Sequence, residues 1–228
     1  MCTLSWRAGA DGYELFMSRD ERRARAVAEG PSVSVQRGVR VVAPRDPQGG
    51  GAWLAVNEHG VALALLNRYE ASAAVGSALA SRGEIVRGHA SARSQDEVEA
   101  ALRALPLACF APFDLAVFAP GRPVLRLGWS GRTLELERDA RAPLASSAVA
   151  ASDARAWRRR RFAALSGEAF HRDHVAPRPE LATCMHRADA ETVSLSRIRV
   201  GSRRVAFAYA AGAPCRAVFG AELELARA

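Results

Sequence analysis

Lysine is absent from this 228-residue chain, and all 32 basic side chains are arginine. Set against 24 acidic residues, they leave a formal net charge of +8. Such a balance admits anionic partners. The arginines are dispersed among acids, however, and aromatics make up only 7% of the residues, so no basic stripe with stacking side chains points to nucleic acid. No apolar run reaches the ~18 residues that mark a membrane-spanning helix. Arg7, Asp11 and Glu14 break the stretch where the apolar segment of a signal peptide would lie. These absences predict a cytoplasmic protein with no membrane span and no nucleic-acid partner.

Metal-ligand spacing is missing as well. Cys2, Cys109, Cys184 and Cys215 form no C-x-x-C pair, and in a reducing compartment they read as free thiols. His171 and His174 are three apart but lack a third ligand. Cys184 reads as a packing residue, and His186, two residues on, shares a strand face with it without thereby forming a catalytic pair. No metal and no cofactor are expected.

What is present is enough apolar residue, 49%, for one sizeable core, and a single domain over 1–228 is the expectation. Hairpin signals dominate. Thr3–Trp6 and Tyr13–Met17 flank Gly9-Ala10-Asp11-Gly12, and Ala52–Val56 and Val61–Leu66 flank Asn57-Glu58-His59-Gly60. The near-continuous apolar character of the second pair predicts strands covered on both faces. Further strands are expected at Gly38–Ala43, Asp114–Phe118, Pro123–Gly128, Arg132–Glu137, Val193–Val200, Arg203–Tyr209 and near Arg216–Phe219. Pro31 is expected to end any helix in the polar Glu21–Ala28 stretch. Ser94–Leu105 carries a capping box, Ser94 with Glu97, and an apolar stripe. Ala154–Leu165 reads as a helix capped by Asp153, with Arg158–Arg161 on its exposed side. Ala71–Ala80 is weakly patterned, and Arg82–His89 reads as exposed. More hairpins than βαβ units imply an α+β fold built on antiparallel sheets.

The first hairpin gives the chain its most specific chemistry. With Ala10 and Asp11 at its tip, paired positions sum to about 21, which sets Cys2 opposite Arg19. Removal of Met1 would give Cys2 a free α-amine beside its thiol, a nucleophile with a built-in base. Arg19 would favour the thiolate or hold a substrate carboxylate or carbonyl, and Asp20 would orient the amine. The same residues also read as a small residue at a terminus beside a charged strand exit.

Met1-Cys2-Thr3, Ser18-Arg19-Asp20-Glu21, Ala43-Pro44-Arg45-Asp46, the run from Gly50 to Gly60, and Leu66-Asn67 occur in this order, followed by Cys184-Met185-His186-Arg187 and Thr192-Val193-Ser194. Together they resemble the NRDE family, the transport and Golgi organisation proteins, which is similar to N-terminal nucleophile hydrolases. The resemblance implies a four-layer αββα sandwich of two mainly antiparallel sheets flanked by helices. Related hydrolases that begin with cysteine cleave linear amides, including penicillin and bile-salt amides. Cys2, Arg19 and Asp20 match their nucleophile, arginine and aspartate. Ser18 departs from the family's asparagine; it is read as altered support at the strand edge, the alternative being a changed orientation of Arg19 with reduced or different catalysis.

An asparagine serves the oxyanion in the related hydrolases. Asn67, which ends a buried strand, is preferred here over Asn57, which precedes a turn. Glu21 reads as a clamp on Arg19, Arg45 and Asp46 as a pair across their loop, and Trp53 as core. Ser146, Ser147 and Asp153 either close the cleft or act as caps. The implied function is hydrolysis of a linear amide, with a small-molecule amide or anionic ligand as partner. The alternative is non-catalytic binding of a lipid, a haem-like group or an acidic small molecule, or support of trafficking. These features leave the oligomeric state open.

Overall fold

Two antiparallel sheets face each other across an apolar core, and helices cover their outer faces. The structure is a computed structural model that describes residues 2–69 and 79–228. All of the weakly patterned 71–80 segment except Leu79 and Ala80 lies outside the described residues. The strands are β1 (Cys2–Ala8), β2 (Tyr13–Arg22), β3 (Glu29–Gln36), β4 (Val39–Arg45), β5 (Leu54–Asn57), β6 (Ala62–Asn67), β7 (Phe113–Phe118), β8 (Leu125–Trp129), β9 (Leu134–Glu137), β10 (Leu144–Ser146), β11 (Ala190–Val200), β12 (Arg204–Ala211) and β13 (Leu223–Ala226). The helices are α1 (Gly83–His89), α2 (Gln95–Ala104), α3 (Ala151–Ala164) and α4 (Gly167–Arg172). One sheet runs β10-β1-β2-β11-β12-β13 and the other β3-β4-β5-β6-β7-β8-β9.

Side-chain alternation explains the layers. In β6, Ala62, Ala64 and Leu66 enter the core between the sheets, which also holds Leu4, Leu15 and Met17. Leu63 and Leu65 point the other way, to a second core with Ile85 and Val86 of α1 and Val98 and Leu102 of α2. Burial on both faces is why β5 and β6 lack polar alternation. The outer face of the first sheet is different. There Thr3, Ser5, Ser18, Asp20 and Thr192 are buried beneath α3 and α4 with Arg158 and His171. A polar interlayer of this kind stands only if its groups are hydrogen-bonded.

Several expectations need correction. Pro31 does not end a helix; it lies in exposed edge strand β3, where the register with β4 shifts between Glu29 and Ser32. Arg82–His89 is not an exposed stretch, because α1 buries Ile85 and Val86. The segment near Arg216–Phe219 turns back on itself through Arg216 N–H to Ala213 carbonyl, and the last strand is β13. Asp153 does not cap α3. The helix starts at Ala151 behind a left-handed Ala150, and Asp153 pairs with Arg178. Ser94 does cap α2, accepting from the Glu97 N–H at 3.1 Å.

Candidate active site at the start of the first strand

The first hairpin pairs Cys2 with Arg19, Leu4 with Met17 and Trp6 with Leu15, the register that the turn position predicts. On its other side β1 pairs with β10, Cys2 opposite Ser146. The Cys2 backbone N–H donates to Ser146 Oγ at 3.0 Å. Opposite the end of β2, strand β11 shifts register between Thr192 and Ser194, so Asp20 faces Thr192 and Arg19 faces Ser194. A bulge of this type re-aims side chains at a strand end.

Cys2 and Arg19 share the face that looks between the sheets, and both line a cleft of about 330 Å³ with Glu21, Arg25, Asp46, Trp53, Asn67 and Arg82. Arg19 is nearly buried. Its Nη2 donates to Glu21 Oε2 at 3.0 Å and lies 3.8 Å from Asp46 Oδ2, and its guanidinium sits 4.6 Å from the Trp53 ring centroid. Contacts on three sides fix the orientation of the fork. Glu21 thus clamps Arg19. Trp53 belongs to the core and also floors the cleft.

The Pro44–Gly51 loop folds back through Gly50 N–H to the Asp46 carbonyl and Asp46 N–H to the Gly51 carbonyl. Gly51 packs so closely on Gly83 that an added Cβ would lie 2.3 Å from its carbonyl carbon. This packing holds Asp46 in the site. Arg45 does not pair with Asp46; it reaches Glu29 at 3.7 Å, while Asp46 binds Arg25. Burial pushes the Asp46 carboxyl up, but the Arg25 hydrogen bond, the Gly49 N–H and the charges of Arg25 and Arg19 outweigh it and hold it below the usual carboxylate range.

Burial pushes the Cys2 thiol up, and the Asp20 carboxylate adds to that, while Arg19 and a hydrogen bond from the Asp20 backbone N–H pull it down. Cys2 charge is felt in turn by Arg82 and Arg158. The thiol is therefore protonated at rest, with cationic groups placed to favour its ionised form.

Asp20 sits differently from Arg19. Its carboxylate points to the helical side, where Oδ1 accepts from Thr192 Oγ1 at 2.6 Å and Oδ2 lies 3.8 Å from Arg158 Nη2. Ser18 shares that side. Its hydroxyl meets His171 Nδ1 at 2.6 Å, and Ser5 Oγ meets His171 Nε2 at 2.8 Å. The residue that departs from the family pattern thus supports α4 and does not touch Arg19. Burial, with the nearby Arg158 charge, lowers the His171 pKa to about 3, so the ring is neutral.

The two asparagines are not equivalent. Asn67 lines the cleft and also a larger neighbouring cavity of about 710 Å³, and its Nδ2 donates to Tyr69 Oη at 2.8 Å. Asn57 is not brought to the cleft. Its Nδ2 donates to the Ala90 and Ala92 carbonyls, and its Oδ1 accepts from the His59 and Val61 N–H groups. With both donors occupied it is a turn and helix-end support.

Arg158 is the residue that a surface reading of the arginine run misses. It is fully buried, and it donates to Thr3 Oγ1 at 2.8 Å and to the Leu181, Glu180 and Ala182 carbonyls. The available signal was phase: Ala154 and Arg158, four apart, are the buried residues of α3. Ser146 and strand β10 were also missed as partners of Cys2, because a three-residue strand has too little pattern to read.

The layers and strand orders define the class. This is an N-terminal nucleophile hydrolase-like αββα sandwich, and solved structures of such hydrolases share it. An N-acylethanolamine-hydrolyzing acid amidase ortholog from Caenorhabditis elegans matches with a TM-score of 0.58 at 11% identity, covering 87% of this chain and 92% of that one. Penicillin V acylase from Agrobacterium tumefaciens matches at 0.54 and 10%, covering 92% and 83%. A mutant conjugated bile acid hydrolase from Clostridium perfringens matches at 0.54 and 12%, covering 92% and 89%. No curated protein matches the chain in sequence. The model of the family described as Transport and Golgi organisation 2 matches residues 1–121, and the chain belongs to that family. The match spans β1 to β7 and includes Cys2, Arg19, Asp20, Asn57 and Asn67; Ser146 and Arg158 lie beyond it.

Proposed function

We propose that the chain, once Met1 is removed, is a cysteine amidohydrolase that cleaves a linear amide carrying an anionic group. The observation that carries this reading is the setting of Cys2: its nitrogen bonds Ser146 Oγ and its sulfur faces the Asp20 N–H, at a cleft lined by Arg19. The proposal takes 1–228 as a single domain, supported by the core that the two sheets share.

In this mechanism the thiol proton passes to the neutral α-amine and the sulfur attacks the amide carbonyl. Asn67 Nδ2 and backbone N–H groups take the oxyanion. The C–N bond breaks as the α-ammonium gives its proton to the leaving nitrogen. Water then attacks the thioester with the amine as base, which releases the acid and restores the thiol. Ser146 Oγ is placed to hold the amine in line. The preference for an anionic substrate rests on Arg19 and Arg82 in the cleft, and on the adjoining cavity, where five guanidiniums face three carboxylates.

The test is turnover of a panel of anionic N-acyl amides by the chain lacking Met1, with Cys2→Ala and Cys2→Ser beside it. Hydrolysis is expected to fall by roughly 10³-fold or more in Cys2→Ala, the scale of losing a nucleophile. Turnover unchanged in both variants rules the mechanism out. A second reading, non-catalytic binding of an acidic small molecule, is favoured by the depth at which the thiol is buried. Retention of Met1 in protein made by its native host would support it.

A further inference from the structure

Cys184, His186 and Cys215 take no part in the cleft, yet the fold brings them together. Cys184 and His186 precede β11, and Cys215 sits 29 residues after His186, in the turn that follows β12. Because β11 and β12 are hairpin partners, with Ser194 opposite Ala211, the segments at their open ends meet. His186 Nε2 lies 3.5 Å from Cys184 Sγ and 3.3 Å from Cys215 Sγ, and the three donor atoms all lie within 4.8 Å of one another.

These distances suit a cation. Zinc–sulfur bonds of about 2.3 Å and zinc–nitrogen bonds of about 2.0–2.1 Å place neighbouring sulfur and nitrogen ligands of a tetrahedral site about 3.5 Å apart. The frame is also built. The Cys215 backbone N–H donates to Cys184 Sγ and holds the two segments together. Arg172 holds the Cys215 turn through the Pro214 and Ala217 carbonyls. Cys184 is fixed by its N–H to the Asp173 carbonyl. Cys184 is buried, whereas His186 and Cys215 are half-buried, which leaves a side open to solvent for metal entry and for a fourth ligand. The exposed His174 ring lies 6.1 Å from the His186 ring on that flank.

We propose that Cys184, His186 and Cys215 form a thiolate–imidazole site for zinc, with the fourth position open to water or to His174. Two thiolates and one neutral imidazole balance the dication. Binding joins the strand entering β11 to the turn leaving β12. The Met185 N–H, between the first two ligands, donates to Thr192 Oγ1, the hydroxyl that holds Asp20. The metal thus braces the sheet one hydrogen-bonded link from the Cys2 neighbourhood. No such cluster is legible before folding, because the third ligand is remote and the pair alone, spaced C-x-H, is too short to be diagnostic.

The test titrates reduced, metal-stripped full-length protein with Co²⁺ and then displaces it with Zn²⁺. The expected result is one Co²⁺ per chain, a sulfur-to-cobalt charge-transfer band, tetrahedral visible bands, and loss of both on adding Zn²⁺. Cys215→Ser and His186→Ala, at half-buried positions that tolerate change, should each weaken binding beyond the roughly 10–100-fold typical of losing an outer partner. Cys109→Ser should leave binding intact. A spectrum without the charge-transfer band, or one that survives Cys215→Ser, overturns the proposal.

Discussion

Arg158→Met should destabilise the protein by about 3–5 kcal/mol, the cost of removing one member of a buried ion pair. The guanidinium is fully buried and lies 3.8 Å from an Asp20 carboxylate that is itself almost fully buried. It also serves one hydroxyl and three carbonyls, all of these bonds buried except the part-buried one to Glu180. Methionine fills much of the volume but takes the donors from those acceptors and a cation from beside the Asp20 carboxylate. Arg158→Lys should recover only part of the loss, because an ammonium lacks the planar fork that reaches several acceptors at once. Urea unfolding of the three proteins reads this directly. A Met variant within about 1 kcal/mol of the parent would show the pair to be dispensable and the interlayer to be held by packing.

The second large effect is a pH dependence centred on His171. Its folded pKa of about 3 lies below the usual 6.5, because burial and the Arg158 charge oppose protonation. The sign follows from linkage. Below pH 6.5 the unfolded chain takes up a proton that the folded chain refuses, so stability is complete above 6.5 and is lost as pH falls towards 3. The slope is about 1.4 kcal/mol per pH unit, and the whole interval amounts to roughly 5 kcal/mol. Carboxylates titrate over part of the same range, so the comparison needed is with His171→Gln. At pH 8 the variant should be less stable, since Ser5 and Ser18 lose a well-placed ring partner. That gap should close as the pH approaches 4. A gap that stays constant with pH would mean the ring is not held neutral.

Much of the fold was legible because the sequence encodes it locally. The glycines around Ala10-Asp11 fixed one turn, and that turn fixed the pairing of every residue from Cys2 to Arg19. The unbroken apolar runs of β5 and β6 announced burial on both faces. Local signals failed where burial depends on distant partners. Arg158 sits in a run of four arginines whose composition says surface, and only the packing of α3 on the loop at 180–182 turns it inward. Strand β3 escaped notice because an exposed edge strand needs no apolar alternation. Ser146 reaches Cys2 only through a pairing 144 residues apart. The pairing of Cys2 with Arg19 was legible from the first turn; the hydroxyl that meets the Cys2 nitrogen was not.

The central claim is that sulfur and terminal nitrogen of one residue act together at the cleft. Mass spectrometry of the N-terminal peptide, after brief exposure to an activated anionic acyl amide, tests it most directly. The account predicts a chain lacking Met1 and an acyl group on Cys2 that hydroxylamine removes. A chain that retains Met1, with Cys2 unmodified while the substrate is turned over, would contradict it.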